Sequence, residues 1–322
     1  MAIITRIFLA ICLLGISTHG FSQMVESEET TDSSTADSKD GWELGGTTAL
    51  GVNHVSLTNW AAGGQNSISI NGLLNLFAHY KKRKALLENY FDVGYGSIHQ
   101  GMNADWVKTD DKIDFTSKFG RVASGKWYVA GLLNFKTQMA PGYNYPNDSV
   151  RISNALAPAY LLVALGMDYK PGKGLTFYIS PLTSKITIVN DQALANAGSF
   201  GVEAATYDAA GNELTPGKNV RAEVGGSIRM FVRKEVVKNI SVQTKLDLFS
   251  NYVENPQNID VSWEVLISMK VNKFFAATLS THLIYDDDID IAVDSNGDGV
   301  YDTSGPRVQF KEVLALGFSY QF

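Results

Sequence analysis

Cysteine is almost absent from this 322-residue chain: the single one, Cys12, sits in an apolar N-terminal stretch. Once that stretch is removed, no disulfide can staple the remainder. Long hydrophobic runs are missing too. Beyond the N-terminus the longest apolar stretch, residues 156–167, is interrupted by Pro158 and closed by Asp168, well short of the ~20 residues a spanning helix needs. Basic surplus is lacking as well. The formal charge is −6, and residues 24–41 alone hold six acids and one base. The rest is close to neutral, which gives no reason to expect a nucleic-acid partner. Catalytic signatures are equally scarce. There is no Gly-x-Ser-x-Gly turn and no His-Glu-x-x-His motif, and His54, His79, His99 and His282 are widely spaced, so no enzyme is expected.

At the N-terminus, Arg6 precedes the apolar run Ile7–Ile16, and Gly20 and Ser22 stand before Gln23. This is the layout of a cleaved signal peptide, residues 1–22. Ile11 before Cys12 and the apolar residues after it do not fit a lipoprotein signal. Residues 23–41 are acidic, rich in Ser and Thr and poor in large apolar groups, which predicts a disordered periplasmic tail.

From residue 42 onward a two-residue alternation recurs. In the last segment Leu314, Leu316, Phe318, Tyr320 and Phe322 share one strand face, and Val313, Ala315, Gly317, Ser319 and Gln321 the other, because strand side chains alternate. Val261, Trp263, Val265, Ile267 and Met269 alternate with Ser262, Glu264, Leu266, Ser268 and Lys270 in the same way. Strands this long suit a membrane, where only every second residue meets lipid. The pattern predicts an all-β, single transmembrane antiparallel barrel over residues 42–322, with about twelve strands. They fall near 44–57, 66–80, 86–97, 110–122, 126–139, 157–169, 175–189, 219–233, 239–252, 259–271, 274–286 and 309–322. Ser180-Pro181 predicts a bulge or a break, since proline cannot donate to a ladder. Connections at one end are short and carry lysine; those at the other are mostly longer. Short turns mark the periplasmic side, placing the N-terminus there and the chain in an outer membrane. The expected partners are outer-membrane lipid and, through the C-terminal strand ending in Phe322, the barrel-assembly machinery.

Several local motifs occur in order: Asn59-Trp60-Ala-Ala-Gly63-Gly64-Gln-Asn66-Ser67, Lys108-Thr-Asp110-Asp111-Lys112, Phe135-Lys-Thr137-Gln138, Ala157-Pro158-Ala-Tyr160 and Ser180-Pro181-Leu182-Thr183-Ser-Lys185. Together they resemble an uncharacterised family of Bacteroidetes-type outer-membrane barrels, domain of unknown function 3078. The resemblance implies an outer-membrane barrel and no activity. Trp60, Gly63, Gly64, Lys108, Asp110, Asp111, Thr137 and Gln138 would then gather at the long-loop end, either as a vestibule with paired charges or as a loop packed against the wall.

Parity places Arg221, Glu223, Arg229, Arg233, Lys245, Asp247, Glu264 and Lys270 toward the lumen, where they could line a pore or pair and fill it. By the same parity an arginine is expected to be costly at Val265 and tolerated at Glu264. Asp294, Asn296, Asp298, Val300 and Asp302 match the first nine positions of an EF-hand-type calcium loop, but Gly305 stands where the bidentate Glu belongs. The segment reads either as a weak calcium site, with Asp286, Asp287, Asp288 and Asp290 as further oxygens, or as a solvated Asx/Gly turn at a hairpin tip. The leading functional expectation is a narrow passive channel for small hydrophilic solutes. The alternative is a closed barrel whose extracellular loops bind a surface ligand, calcium or partner; a barrel-embedded enzyme comes third.

Overall fold

The computed structural model describes residues 40–57, 65–101, 105–145, 147–272, 274–293 and 302–322. The expected signal peptide, most of the expected tail, Trp60, Gly63, Gly64 and Asp294–Val300 lie outside the described residues.

Twelve strands close into an antiparallel barrel, each paired with its neighbour along the chain and the last paired with the first. They are β1 (Gly41–Val55), β2 (Ser67–Lys82), β3 (Ala85–Gln100), β4 (Val107–Ser124), β5 (Trp127–Thr137), β6 (Ala159–Gly172), β7 (Leu175–Ile188), β8 (Val220–Val237), β9 (Ile240–Asn251), β10 (Asp260–Lys270), β11 (Phe275–Tyr285) and β12 (Gln309–Gln321). All twelve expected strands are present, with ends shifted by a few residues. The seam joins Leu50 to Phe318 and Thr48 to Tyr320, and Gly46 and Phe322 exchange backbone hydrogen bonds at 3.0 and 3.1 Å. The seam pairs Thr47–Gly51 with Gly317–Gln321, and closure of this kind lets backbone groups in the wall find partners without water.

The alternation sorts the side chains. Leu314, Leu316, Phe318, Tyr320 and Phe322 all point outward, Leu316 with 60% of its surface exposed. Leu44, Leu50, Val129, Leu165 and Leu182 are exposed likewise. An apolar wall of this kind needs lipid around it. Among the described residues no helix is long and apolar enough to cross a membrane.

The expected bulge in β7 is present. Leu165 and Met167 of β6 face Leu182 and Ile179, so Ser180 and Pro181 together stand opposite Gly166. Pro181 offers no N–H; instead the Ser180 hydroxyl lies 2.7 Å from the Leu165 carbonyl and 2.8 Å from that of Leu182. A Cβ on Gly166 would come within 2.0 Å of the Ile179 carbonyl oxygen, so the bulge requires glycine there.

Short turns join strands at the end holding Gly41 and Phe322; long loops occupy the other end. Those loops are more structured than the sequence suggested. They hold small hairpins, 142–144 with 147–153, 206–207 with 213–215 and 290–293 with 303–306, and a short helix α1 (Gln192–Asn196). Asp191 caps α1, accepting from the Ala193 N–H at 3.1 Å and from the Asn154 side chain at 3.0 Å. Leu194, Ala195 and Val202 pack with Ala157 and Val189 into a small apolar core above the wall.

Candidate functional site: the lumen and its ion-pair crossbar

Inward positions of β3 to β10 carry charge, and the strands bring these charges together in three groups. Near the short turns, Glu88 of β3, Lys118 of β4 and Asp168 and Lys170 of β6 interlock. Lys118 meets Asp168 at 2.7 Å and Glu88 at 3.2 Å, and Lys170 meets Glu88 at 2.6 Å. Asp168 is only 1% exposed, a depth at which a carboxylate persists only with partners.

The middle group spans the barrel. Lys112 of β4 is ion-paired with Glu264 of β10, six strands away around a ring of twelve. Asp114 of β4, 2% exposed, receives Lys245 of β9 at 2.9 Å and Asn134 of β5 at 2.6 Å. Lys245 also reaches Glu264 at 3.1 Å. Arg229 of β8 pairs with Asp247 of β9, and Lys136 of β5 approaches Asp247 at 3.6 Å. Opposite walls are therefore tied together by a crossbar of alternating charges.

At the long-loop end Lys185 of β7 binds Asp260 at 2.6 Å and Asp286 at 3.0 Å. Arg221 binds Asp288 at 2.8 Å and Glu254 at 3.0 Å, and Glu223 lies 3.6 Å from Lys185.

Of the eight lumen positions expected from parity, Arg221, Glu223, Arg229, Lys245, Asp247 and Glu264 join these groups. Arg233 and Lys270 do not: both sit at the short-turn rim, exposed, because their strands end within a few residues of them. Sequence reasoning missed Glu88, Lys112, Asp114, Lys118, Lys136, Asp168 and Lys185. Their inward parity on β3 to β7 was the available signal.

The motif residues near the long loops form a latch. Lys108 donates to Asp111 at 3.0 Å, to Gln138 at 3.1 Å and to the Ala140 carbonyl at 2.7 Å. Asp111 accepts from the Met139 and Ala140 N–H groups, Gln138 donates to the Ala157 carbonyl, and Thr137 to that of Pro158. The loop after β5 is thus held against the wall. Asp110 points across to Lys311 of β12, 2.6 Å away. A cavity of about 260 Å³ opens here, bounded by Lys108, Asp110, Gln138, Tyr143, Tyr145 and Lys311.

The other arc of the lumen is different. Inward positions of β11, β12, β1 and β2 include Thr278 and Ser280, Val313 and Ala315, Thr47 and Ala49, and Asn71, all of them partly solvent-accessible. Two features narrow this arc: the Lys311–Asp110 bridge toward the long loops, and Phe77, whose ring lies over Gly45 toward the short turns. Phe77, His79, Tyr90 and Phe231 form a chain of ring contacts at 5.0, 5.1 and 6.3 Å.

Ser262 and His282 approach to 3.0 Å in the lumen, but the neighbouring carboxylate, Glu264, is engaged by Lys112 and Lys245 and so is taken from any triad. Of the calcium candidates, Asp302 is described and exposed. The alternative oxygens on Asp286 and Asp288 are ion-paired to Lys185 and Arg221, and Asp287 accepts from Asn258 and Tyr285. Among the described residues no three His, Cys, Asp or Glu side chains gather as a metal-ligand set.

Residues 52–143 match the family described as a protein of unknown function, DUF3078, the family that the motifs resemble. No curated protein matches the sequence. Among solved structures, the translocator domain of the autotransporter NalP from Neisseria meningitidis is similar over 90% of this chain and 91% of its own, at 10% identity and a TM-score of 0.38. An outer-membrane channel from Pseudomonas putida F1 is similar over 92% of this chain and all of its own, at 12% identity and a TM-score of 0.38.

Proposed function

We propose that the barrel lies in an outer membrane, with its N-terminus periplasmic, and acts as a narrow passive channel for small hydrophilic solutes. The observation that carries this reading is the accessible arc of small residues on β11, β12, β1 and β2, left beside the Lys112–Glu264 crossbar. Interior side chains fill an eight-stranded barrel, and sixteen-stranded porins are open. Twelve strands with ion pairs across one part of the lumen and small residues along the other leave room for a restricted path. Planar-bilayer recording tests it. The wild type should give small conductance steps, Lys112→Ala with Glu264→Ala larger ones, and Ala49→Trp or Ala315→Trp nearly none while heat-modifiable gel mobility stays that of a folded barrel. Absence of conductance in both the wild type and the crossbar variant would sink the channel.

The 260 Å³ cavity at the long-loop end favours a second reading, a closed barrel that binds a small ligand between Lys108, Asp110 and Tyr145. That reading requires saturable ligand binding without conductance.

A further inference from the structure

The two ends of the barrel differ in charge as well as in loop length. Around the short turns ten exposed bases stand against two exposed acidic side chains, Asp40 and Glu235, among the described residues. Each of the first four turns contributes, through Arg83, Lys126, Lys173 and Lys234. Asp40 is already held, accepting from the Arg83 backbone N–H at 3.0 Å, and Lys126 donates to the Pro171 carbonyl, not to an acid.

A second observation fixes the depth of this rim. Outward aromatic pairs lie within a few residues of the same turns: Trp42 with Tyr80 at 5.0 Å, Trp127 with Tyr169 at 4.8 Å and Phe275 with Phe318 at 4.6 Å. They lie on the adjacent strands β11, β12, β1 and β2 and, farther round the ring, on β5 and β6. The amphipathic rings of Trp42, Tyr80, Trp127 and Tyr169 settle at the headgroup level of a bilayer. The bases just beyond them then stand at the depth of the lipid phosphates.

We infer that the short-turn rim is a docking surface for anionic phospholipid headgroups, and that it anchors the barrel in a leaflet rich in them. Each exposed base next to an anionic surface strengthens association about fivefold, and a ring of them acts on many lipids at once. This inference is independent of whether the lumen conducts.

The test uses the full mature chain in mixed micelles of phosphatidylglycerol and phosphatidylcholine, with retained lipids identified by native mass spectrometry. The wild type should retain phosphatidylglycerol preferentially. The preference should fall several-fold in Lys82→Gln/Arg83→Gln/Lys84→Gln, and again in Lys173→Gln/Lys234→Gln should the first variant fold poorly. Lys218→Gln, in a long loop at the other end, should leave it unchanged. Millimolar inorganic phosphate should not displace the lipid; full displacement would show that the rim takes free phosphate instead. Equal retention of both lipids by the wild type would overturn the inference. So would a preference appearing only after Glu26, Glu28, Glu29, Asp32 and Asp37 are changed to their amides, since the chain's own acidic segment would then be the occupant.

Discussion

From β3 round to β10, the strands that the Lys112–Glu264 crossbar ties together, the lumen holds long charged side chains that bury one another. On the remaining arc, β11, β12, β1 and β2 present Thr278, Ser280, Val313, Ala315, Thr47 and Ala49, partly solvent-accessible, between Lys311 at one end and Phe77 at the other. Both arcs belong to one hydrogen-bonded wall and both face lipid with the same apolar band. The difference lies only in what occupies the inward positions, and it teaches that lumen chemistry is set independently of the wall. In the filled arc charges are satisfied by neighbouring strands, as Arg229 is by Asp247, and by strands distant in sequence, as Asp114 is by Lys245. The small-residue arc carries such a tie in Lys311 with Asp110, so substitutions among its small residues should weigh less on folding.

The largest expected effect follows from removing one partner in the filled arc. Asp114→Ala leaves Lys245 and Asn134 without their carboxylate, and loss of one member of a buried pair costs roughly 3–5 kcal/mol. Ala315→Ser on the opposite arc should stay within about 0.5 kcal/mol. Urea titration of the folded barrels in detergent checks both, and equal losses would erase the distinction between the arcs.

The next effect separates wall from lumen. Val265→Arg puts a cation in mid-bilayer, worth ~2–4 kcal/mol. Parity alone had suggested that Glu264→Arg would be tolerated, but Glu264 faces Lys112, Lys136 and Lys245. A fourth cation there should destabilise about as much. Ala49→Arg, in the small-residue arc, should fold normally in the same assay and reduce conductance.

A smaller effect concerns the seam, which both arcs share. Deleting Phe322 removes two backbone hydrogen bonds to Gly46 and an outward aromatic, and should lower the heat-modifiable folded fraction more than Gln321→Ser. Equal yields would show that closure does not depend on the last residue.

The smallest effect lies in the loop above the filled arc. Hydrogen bonds from Asn154 and from the α1 backbone hold the Asp191 carboxyl below its ordinary value. A depressed carboxylate gives its stabilisation in full above its unfolded value of about 4 and loses it as pH falls through the lower folded value. Hydrogen exchange of residues 189–202 should therefore accelerate only in strongly acidic solution. In Asp191→Asn it should already be faster at neutral pH.

Strand number, closure and the separation of short turns from long loops were legible in the sequence because a spanning strand carries its own two-residue period. Even the β7 bulge was written in Ser180-Pro181, since a missing N–H is a local fact. The motifs Lys108–Lys112 and Phe135–Gln138 could be found in sequence, but only the fold shows that Lys108 joins them into a loop latch. Parity aimed Arg221, Lys245 and Glu264 inward, yet it also aimed Arg233 and Lys270 inward, where strand ends leave them exposed. Which charge meets which was beyond any local reading: the partners Lys112 and Glu264 lie 152 residues apart in sequence. Alternation of side chains follows from backbone geometry within a single strand, so the chain alone determined the wall. Pairing across the lumen depends on strand register and closure around all twelve strands, so only the tertiary structure decided which charges meet inside the barrel.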